Sequence, residues 1–297
     1  MKLIVSVVFA LIAFAGNSVL CRLALLANPT AQIDAASFTS VRLISAAITL
    51  LILIQFTQSE KPSNKAFWRE VLAGYTSKKG LGLWYLFIYA ACFSFAYISL
   101  DTGIGALLLF STVQITMISI SLFRGARLSI LEWLGLLLAA AGFVALVWPD
   151  LTSPQWQPSL LMIIAGLGWA MYTLAGKGSV NPLRETGLHF IRTVPLCIAL
   201  SVFFLAGRSM TLEGALLAIT SGAITSGCGY AIWYSALRHL NTTQAAVLQL
   251  LVPVLAAVAG VIFAGELLDL HFYITSSMIL GGVAIVIITG AKLRART

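Results

Sequence analysis

Charge is what this sequence has least of: Asp, Glu, Lys and Arg make up 9% of its 297 residues, where a soluble domain carries about 25%. That scarcity excludes a soluble globular protein, and with it a disordered chain, which needs charge and polarity to stay solvated. Acidic residues are scarcer than basic ones, 10 against 18. None lies near the centre of an apolar run, so the usual intramembrane proton carriers are missing. The four cysteines, Cys21, Cys92, Cys197 and Cys228, have no CxxC or metal-ligand spacing, and His189, His239 and His271 fall near different loops. There is no GxxxxGKS phosphate loop, which argues against ATP-driven work by this chain alone. No catalytic constellation, metal or cofactor is expected. The net charge of +8 is spread thinly among apolar runs, which speaks against nucleic acid as a partner.

Apolar residues fill the remainder, at 60% of the chain. They fall into ten segments, approximately 3–27, 34–56, 83–100, 104–123, 130–148, 158–177, 186–206, 213–237, 243–264 and 270–290, each near the roughly 20 residues that a bilayer-spanning helix needs. Segments such as 130–148 and 270–290 are apolar on every side, as suits lipid-solvated helices rather than barrel strands. The expected fold is an all-α integral membrane protein whose main partner is the lipid bilayer. The run after Lys2 continues to Ala27, past the length of a signal-peptide core, and is taken as the first span.

Orientation follows from the loops. With the amino terminus inside, 14 of the 18 basic residues fall on the cytoplasmic side, while Asp34, Asp101, Asp150, Glu213, Glu266 and Asp269 fall outside. Both termini are therefore expected in the cytoplasm, in a cell inner membrane. The one substantial loop, 57–82, is cytoplasmic, and its basic residues with Phe67, Trp68, Val71 and Leu72 fit a short surface helix.

An internal repeat carries more. Shifting 93–147 by 140 residues lays it on 233–287 without a gap, pairing Thr102 with Thr242, Phe123 with Phe263, Gly125 with Gly265 and Gly142 with Gly282. Shifts near 150 pair Gly16 with Gly168 and Arg42 with Arg192. The halves, 1–150 and 151–297, thus each hold five spans. An odd number makes the second copy enter from the opposite side, giving ten transmembrane helices as two inverted five-helix repeats, the architecture of secondary transporters.

Five stretches together resemble a known family: GNSVLCRLAL, VRLISAAITLL, LFRGARLSILEWLGLLLAAAGFVAL, QLLVPVLAAVAGVIFAGELL, and the pair Gly281 and Gly282. The chain looks like an EamA-type member of the drug/metabolite transporter superfamily, over all ten spans. The resemblance implies a secondary transporter with spans one, three, four, six, eight and nine around a central cavity, and five and ten at the periphery. Two departures separate the halves: Pro253 faces Val113, and Glu266 faces Ala126, across the repeat.

Polar residues within spans are the site candidates, since a charged group at mid-helix costs roughly 2.5–3.5 kcal/mol unless it faces protein or water. Arg42 and Arg192 each either pin the bundle through helix-end carbonyls or reach the cavity and draw an anionic group. Asn17 and Trp169 occupy equivalent places in spans one and six, and Tyr172 shares the Trp169 face. Ser111 and Gln114 form a stripe in span four, and Gln249 is a similar amide in span nine; a buried amide can equally link helices. Tyr97, Tyr230 and Tyr234 stand between interfacial and site roles. Gly222, Ser226 and Gly229 read as close-packing positions. Glu266 reads as a cap of the tenth span's helix or a cation partner, or else as a gating or coupling group. Gly125 and Gly265 sit where a helix must stop and reverse, favouring positive φ.

The expected function is transport of a small-molecule substrate by alternating access, export or exchange, with amino acids or related amphiphiles as the substrate class and a monomer or homodimer as the working unit. The competing reading is a non-transporting membrane receptor or assembly protein of the same fold.

Overall fold

The structure, a computed structural model, describes residues 2–26, 31–57, 64–76, 80–123, 125, 128–151, 156–176, 179–237, 239–240 and 248–294. Among these the chain is helical, with a single isolated bridge between Ile33 and Met210 as its only extended pairing. The helices are α1 (Lys2–Leu25), α2 (Ala35–Thr57), α3 (Asn64–Ala73), α4 (Leu81–Ala96), α5 (Thr102–Phe123), α6 (Ile130–Leu151), α7 (Gln157–Gly176) and α8 (Pro182–Phe203). After these come α9 (Leu212–Thr220), a π-helical segment (Ser221–Cys228), α10 (Gly229–Leu237), α11 (Leu251–Ala264) and α12 (Leu270–Arg294). Seven stretches are long and apolar enough to cross a membrane, the rod Leu212–Leu237 among them, and Leu81–Ala96, Ile130–Leu146 and Leu251–Ala264 are shorter apolar helices. The start of the 243–264 segment lies outside the described residues. The loop helix is present as α3.

Local chemistry sets the ends. Gly125 and Gly265 both have positive φ, 91° and 65°, and Gly265 closes α11 with its N–H and that of Glu266 returning to the Gly260 carbonyl, the left-handed ending that glycine adopts without strain. The cap of α12 is Asp269, whose carboxylate accepts from the Phe272 N–H at 2.7 Å. Glu266 points elsewhere. Ser129 and Glu132 form a reciprocal box at the start of α6, Ser129 N–H to Glu132 Oε2 and Glu132 N–H to Ser129 Oγ.

Helix packing is ordered. α6 lies chiefly on α12, α4 on α7, and α2 on α8, while α5 meets α7 and α11, and α1 meets α11. The rod of α9, the π segment and α10 is wedged against α1 and α2. The two adjacent glycines of α12 differ: a Cβ on Gly282 would stand 2.5 Å from the Gly135 carbonyl and 2.6 Å from the Ala139 nitrogen, whereas one on Gly281 meets nothing within 4 Å. Gly282→Ala is accordingly expected to cost about 1–3 kcal/mol through overpacking, and Gly281→Ala to be neutral or slightly stabilising. Thermal unfolding of the two variants in detergent makes the comparison.

Candidate functional site

The π segment widens the helix by one residue per turn, a geometry that recurs at functional sites. Here it turns Ser221, Thr225 and Ser226 toward α1 and α2. A Cβ on Gly222 would overlap the Arg42 carbonyl and the Ser45 hydroxyl, so only glycine lets the rod come this close to α2. Ser221 and Thr225 donate to Asn17 Oδ1 at 2.6 and 3.3 Å, and Asn17 Nδ2 donates to the Tyr89 hydroxyl at 3.4 Å. One amide in α1 thereby joins α4 to the rod.

Arg42 completes this cluster from α2. Its Nε donates to Ser226 Oγ at 3.2 Å and its Nη2 to the Tyr89 hydroxyl at 3.0 Å. Its guanidinium lies 5.3 Å from the Tyr89 ring centroid and 4.9 Å from that of Phe93, within cation–π range. The side chain is 1% exposed, and its Nη1 has no hydrogen-bond partner.

Aromatic rings form a continuous column through this layer. Tyr89, Phe93 and Tyr97 lie on one face of α4 at i, i+4 and i+8, with centroids 5.5 and 4.7 Å apart. Tyr89 meets Trp169 of α7 at 5.1 Å, and Trp169 meets Tyr230 at 5.0 Å, Tyr172 at 5.8 Å and Phe14 of α1 at 5.9 Å. Tyr172 passes the column on to Tyr234 and His189. These last three line a void of about 10 Å³ with Glu185 and Thr186.

Beyond Tyr97, at one end of the column, Arg22 is buried between two carboxylates. It reaches Asp101 at 2.9 Å and Glu266 at 3.3 Å, and donates to the Tyr97 and Ile98 carbonyls at 3.3 Å. Glu266 accepts from the Thr102 N–H at 2.7 Å and from its hydroxyl at 2.8 Å. The cation thus sits at the C-terminal end of α4 and the anion at the N-terminus of α5, each where the helix dipole favours it. Glu266 caps α5, not α12.

Arg192 is placed apart from Arg42. Its Nε and Nη2 donate to the Val71 and Glu70 carbonyls at the end of α3, at 3.0 and 2.8 Å. Tyr75 donates to the Arg192 carbonyl at 2.9 Å, and Arg184 pairs with Glu70. Burial pushes the Tyr75 hydroxyl above the ordinary phenol range, with Arg192 pulling the other way, so it donates as a neutral phenol. Arg192→Gln is expected to loosen α3, seen as faster amide hydrogen exchange across 66–75 without change in α2.

Three comparisons bear on what this arrangement belongs to. The EamA-like transporter family model matches residues 157–288. An uncharacterized protein of Pseudomonas aeruginosa is 41% identical over 280 residues, 94% of this chain and 92% of that one. The uncharacterized transporter YoaV of Bacillus subtilis is 23% identical across 84% of this chain and 83% of its own, and one of Archaeoglobus fulgidus is 24% identical across 70% and 75%. The chain belongs to the EamA-type drug/metabolite transporters. A solved crystal structure shares the fold at TM-score 0.58 and 14% identity, over 95% of this chain and 98% of that one.

Within this EamA-type transporter, Asn17, Arg42, Trp169 and Tyr230 come together as one cluster, Tyr97 closes the end toward Arg22, and Tyr172 and Tyr234 the opposite end. Ser111 and Gln114 are buried on α5, which packs on α7 where Gly166 meets Thr112, and Gln249 is buried just before α11. Span two supplies the central cation, although it was not among the helices expected around the cavity. Tyr89, Ser221, Thr225, Phe14 and Arg22 were not singled out in the sequence; the period-four run Tyr89, Phe93, Tyr97 is the signal that marks the first of them.

Proposed function

We propose that this transporter carries a small organic metabolite through alternating access, with ten spans arranged as inverted repeats 1–150 and 151–297 and both termini in the cytoplasm of an inner membrane. The observation that carries the reading is the polar cluster at Asn17 and Arg42. It is buried among α1, α2 and α4 of the first half and α7, the π segment and α10 of the second. A site made from both halves is exposed to one side or the other as they rock. The contact pattern supports the repeat. Exchanging each span for the one five places on turns α4 on α7 into the rod on α1, turns α5 on α7 into α11 on α1, and returns α2 on α8 and α6 on α12 to themselves.

Export is the favoured direction. The shifts that define the repeat put Leu174, Asn241 and Ala126 opposite Arg22, Asp101 and Glu266. The Arg22–Glu266 pair is buried, whereas the pair on the opposite side, Arg184 with Glu70 of α3, is partly exposed, which supports a resting state that opens to the cytoplasm and loads there. Glu266 is a gating residue in this reading.

Flux in proteoliposomes tests it. A mixed pool of labelled amino acids and organic acids should show saturable uptake, and Asn17→Leu, which removes three hydrogen bonds and fills their space, should lower it at least tenfold with folded protein retained. Absence of flux for every compound by folded wild type would favour a receptor or assembly role.

A further inference from the structure

The charge balance around Arg42 narrows the substrate class, on the reading that this cluster is the transport site. Among the described residues, every side chain that the guanidinium touches is neutral: Tyr89, Phe93 and Ser226. The carboxylates beyond Tyr97, Glu266 and Asp101, are committed to Arg22 and Thr102. A buried cation without a counter-ion is strongly disfavoured, and a water molecule on Nη1 would satisfy its hydrogen bond but not its charge.

Three polar atoms of the cluster lack partners among the described residues: Arg42 Nη1 and Trp169 Nε1, which can only donate, and the Tyr230 hydroxyl, which can donate or accept, and all three residues are more than nine-tenths buried. Tyr89 connects the first two, taking Arg42 Nη2 on its hydroxyl and packing its ring on Trp169. Unmatched donors beside an unmatched positive charge are complementary to an anionic acceptor. The walls are the rings of Phe14, Phe93, Trp169 and Tyr230.

We propose that the site takes an organic monoanion, with one carboxylate on Arg42 and an aromatic or branched apolar body among these rings. One guanidinium balances one negative charge, so a dianion is left half compensated. An amine finds no carboxylate in the cluster. A zwitterion finds ring faces and the neutral Tyr230 hydroxyl for its ammonium but no counter-charge, and ranks below the simple acid. The rings are in mutual contact, so the anion enters as the two halves part.

Calorimetric titration of the full-length protein in detergent with a matched series reads this out: 3-phenylpropionate, phenylalanine, 3-phenylpropionamide, 3-phenylpropylamine and phenylsuccinate. The acid should bind at least tenfold more tightly than the amide, the amine and the diacid. Arg42→Gln should remove the preference for acid over amide, and Arg42→Lys should keep it. The acid-to-amide ratio in wild type needs no variant, so a misfolded Arg42→Gln leaves the test intact. Equal binding of acid and amide, a tighter diacid, an unaltered acid affinity in Arg42→Gln, or silence from the whole series would each overturn the assignment. Counterflow separates it from the carrier reading. Arg42-dependent binding without movement would overturn transport and keep the site, whereas flux of an amine or neutral compound indifferent to Arg42 would keep transport and overturn the site.

Discussion

Glu266→Ala is expected to open the external face. In a protein whose Cys92, Cys197 and Cys228 are replaced by alanine, labelling of Cys21 by an impermeant maleimide added outside should rise at least tenfold. Cys21 is fully buried and directly precedes Arg22 in α1, so it reports passage beneath the ion pairs. Removing one partner of a buried pair typically costs about 3–5 kcal/mol, and a tenfold population shift needs only about 1.4 kcal/mol. The substitution also strands the Thr102 N–H and hydroxyl at the start of α5. Glu266→Gln keeps an acceptor for Thr102 but loses the charge opposite Arg22, and should fall between. Labelling that stays at the wild-type rate in Glu266→Ala would remove this residue from the gate.

The second large effect is expected at Gly222. Its Cα faces the carbonyl of Arg42 across the contact of the rod with α2. The Ser45 hydroxyl could turn aside from a new side chain, but a backbone carbonyl in mid-helix cannot. Gly222→Val should therefore separate the rod from α2 and cost upwards of about 3 kcal/mol, at the high end for overpacking, taking Ser226 away from Arg42 as well. Gly16→Ala serves as the control, because its Cβ would rest in ordinary contact, 3.6 Å from Thr225. Thermal unfolding in detergent and the folded fraction after size exclusion give the comparison; equal behaviour of the two variants would mean that the rod and α2 have slack between them.

How far the sequence showed this structure differs from element to element. The apolar segments and the two reversing glycines are local properties, set by the bilayer's thickness and by a positive φ, and both were legible. Asn17 and Trp169 were legible as a pair because the repeat puts them at equivalent places in spans one and six. Arg42 and Arg192 were indistinguishable in sequence, since the repeat makes them counterparts. What separates them is α3, present in one half only, which brings the Glu70 and Val71 carbonyls to Arg192 and leaves Arg42 with phenols and a serine. The π segment was hidden for another reason: SGAITSGC reads as small-residue packing, and the turning of its hydroxyls toward Asn17 and Arg42 depends on helices nearly two hundred residues away. Arg22 looked like a boundary charge because its partners, Asp101 and Glu266, come from distant loops.

The bridge between Ile33 and Met210 has a consequence for how the molecule moves. Around it, the Asp34 N–H donates to the Ser209 carbonyl, the Ser209 N–H to the Asp34 carboxylate, and Thr211 to Gln32. Two of these bonds are backbone to backbone and the others use the Asp34, Thr211 or Gln32 side chain, and all join the α1–α2 turn to the α8–α9 turn. These groups are exposed, so water can replace each partner as the turns separate, whereas Arg22 and Glu266 are buried and lose theirs without replacement. The face that carries Arg22 is therefore tied at two places of unlike kind, a solvated clasp at Ile33 and Met210 and a buried lock at Arg22.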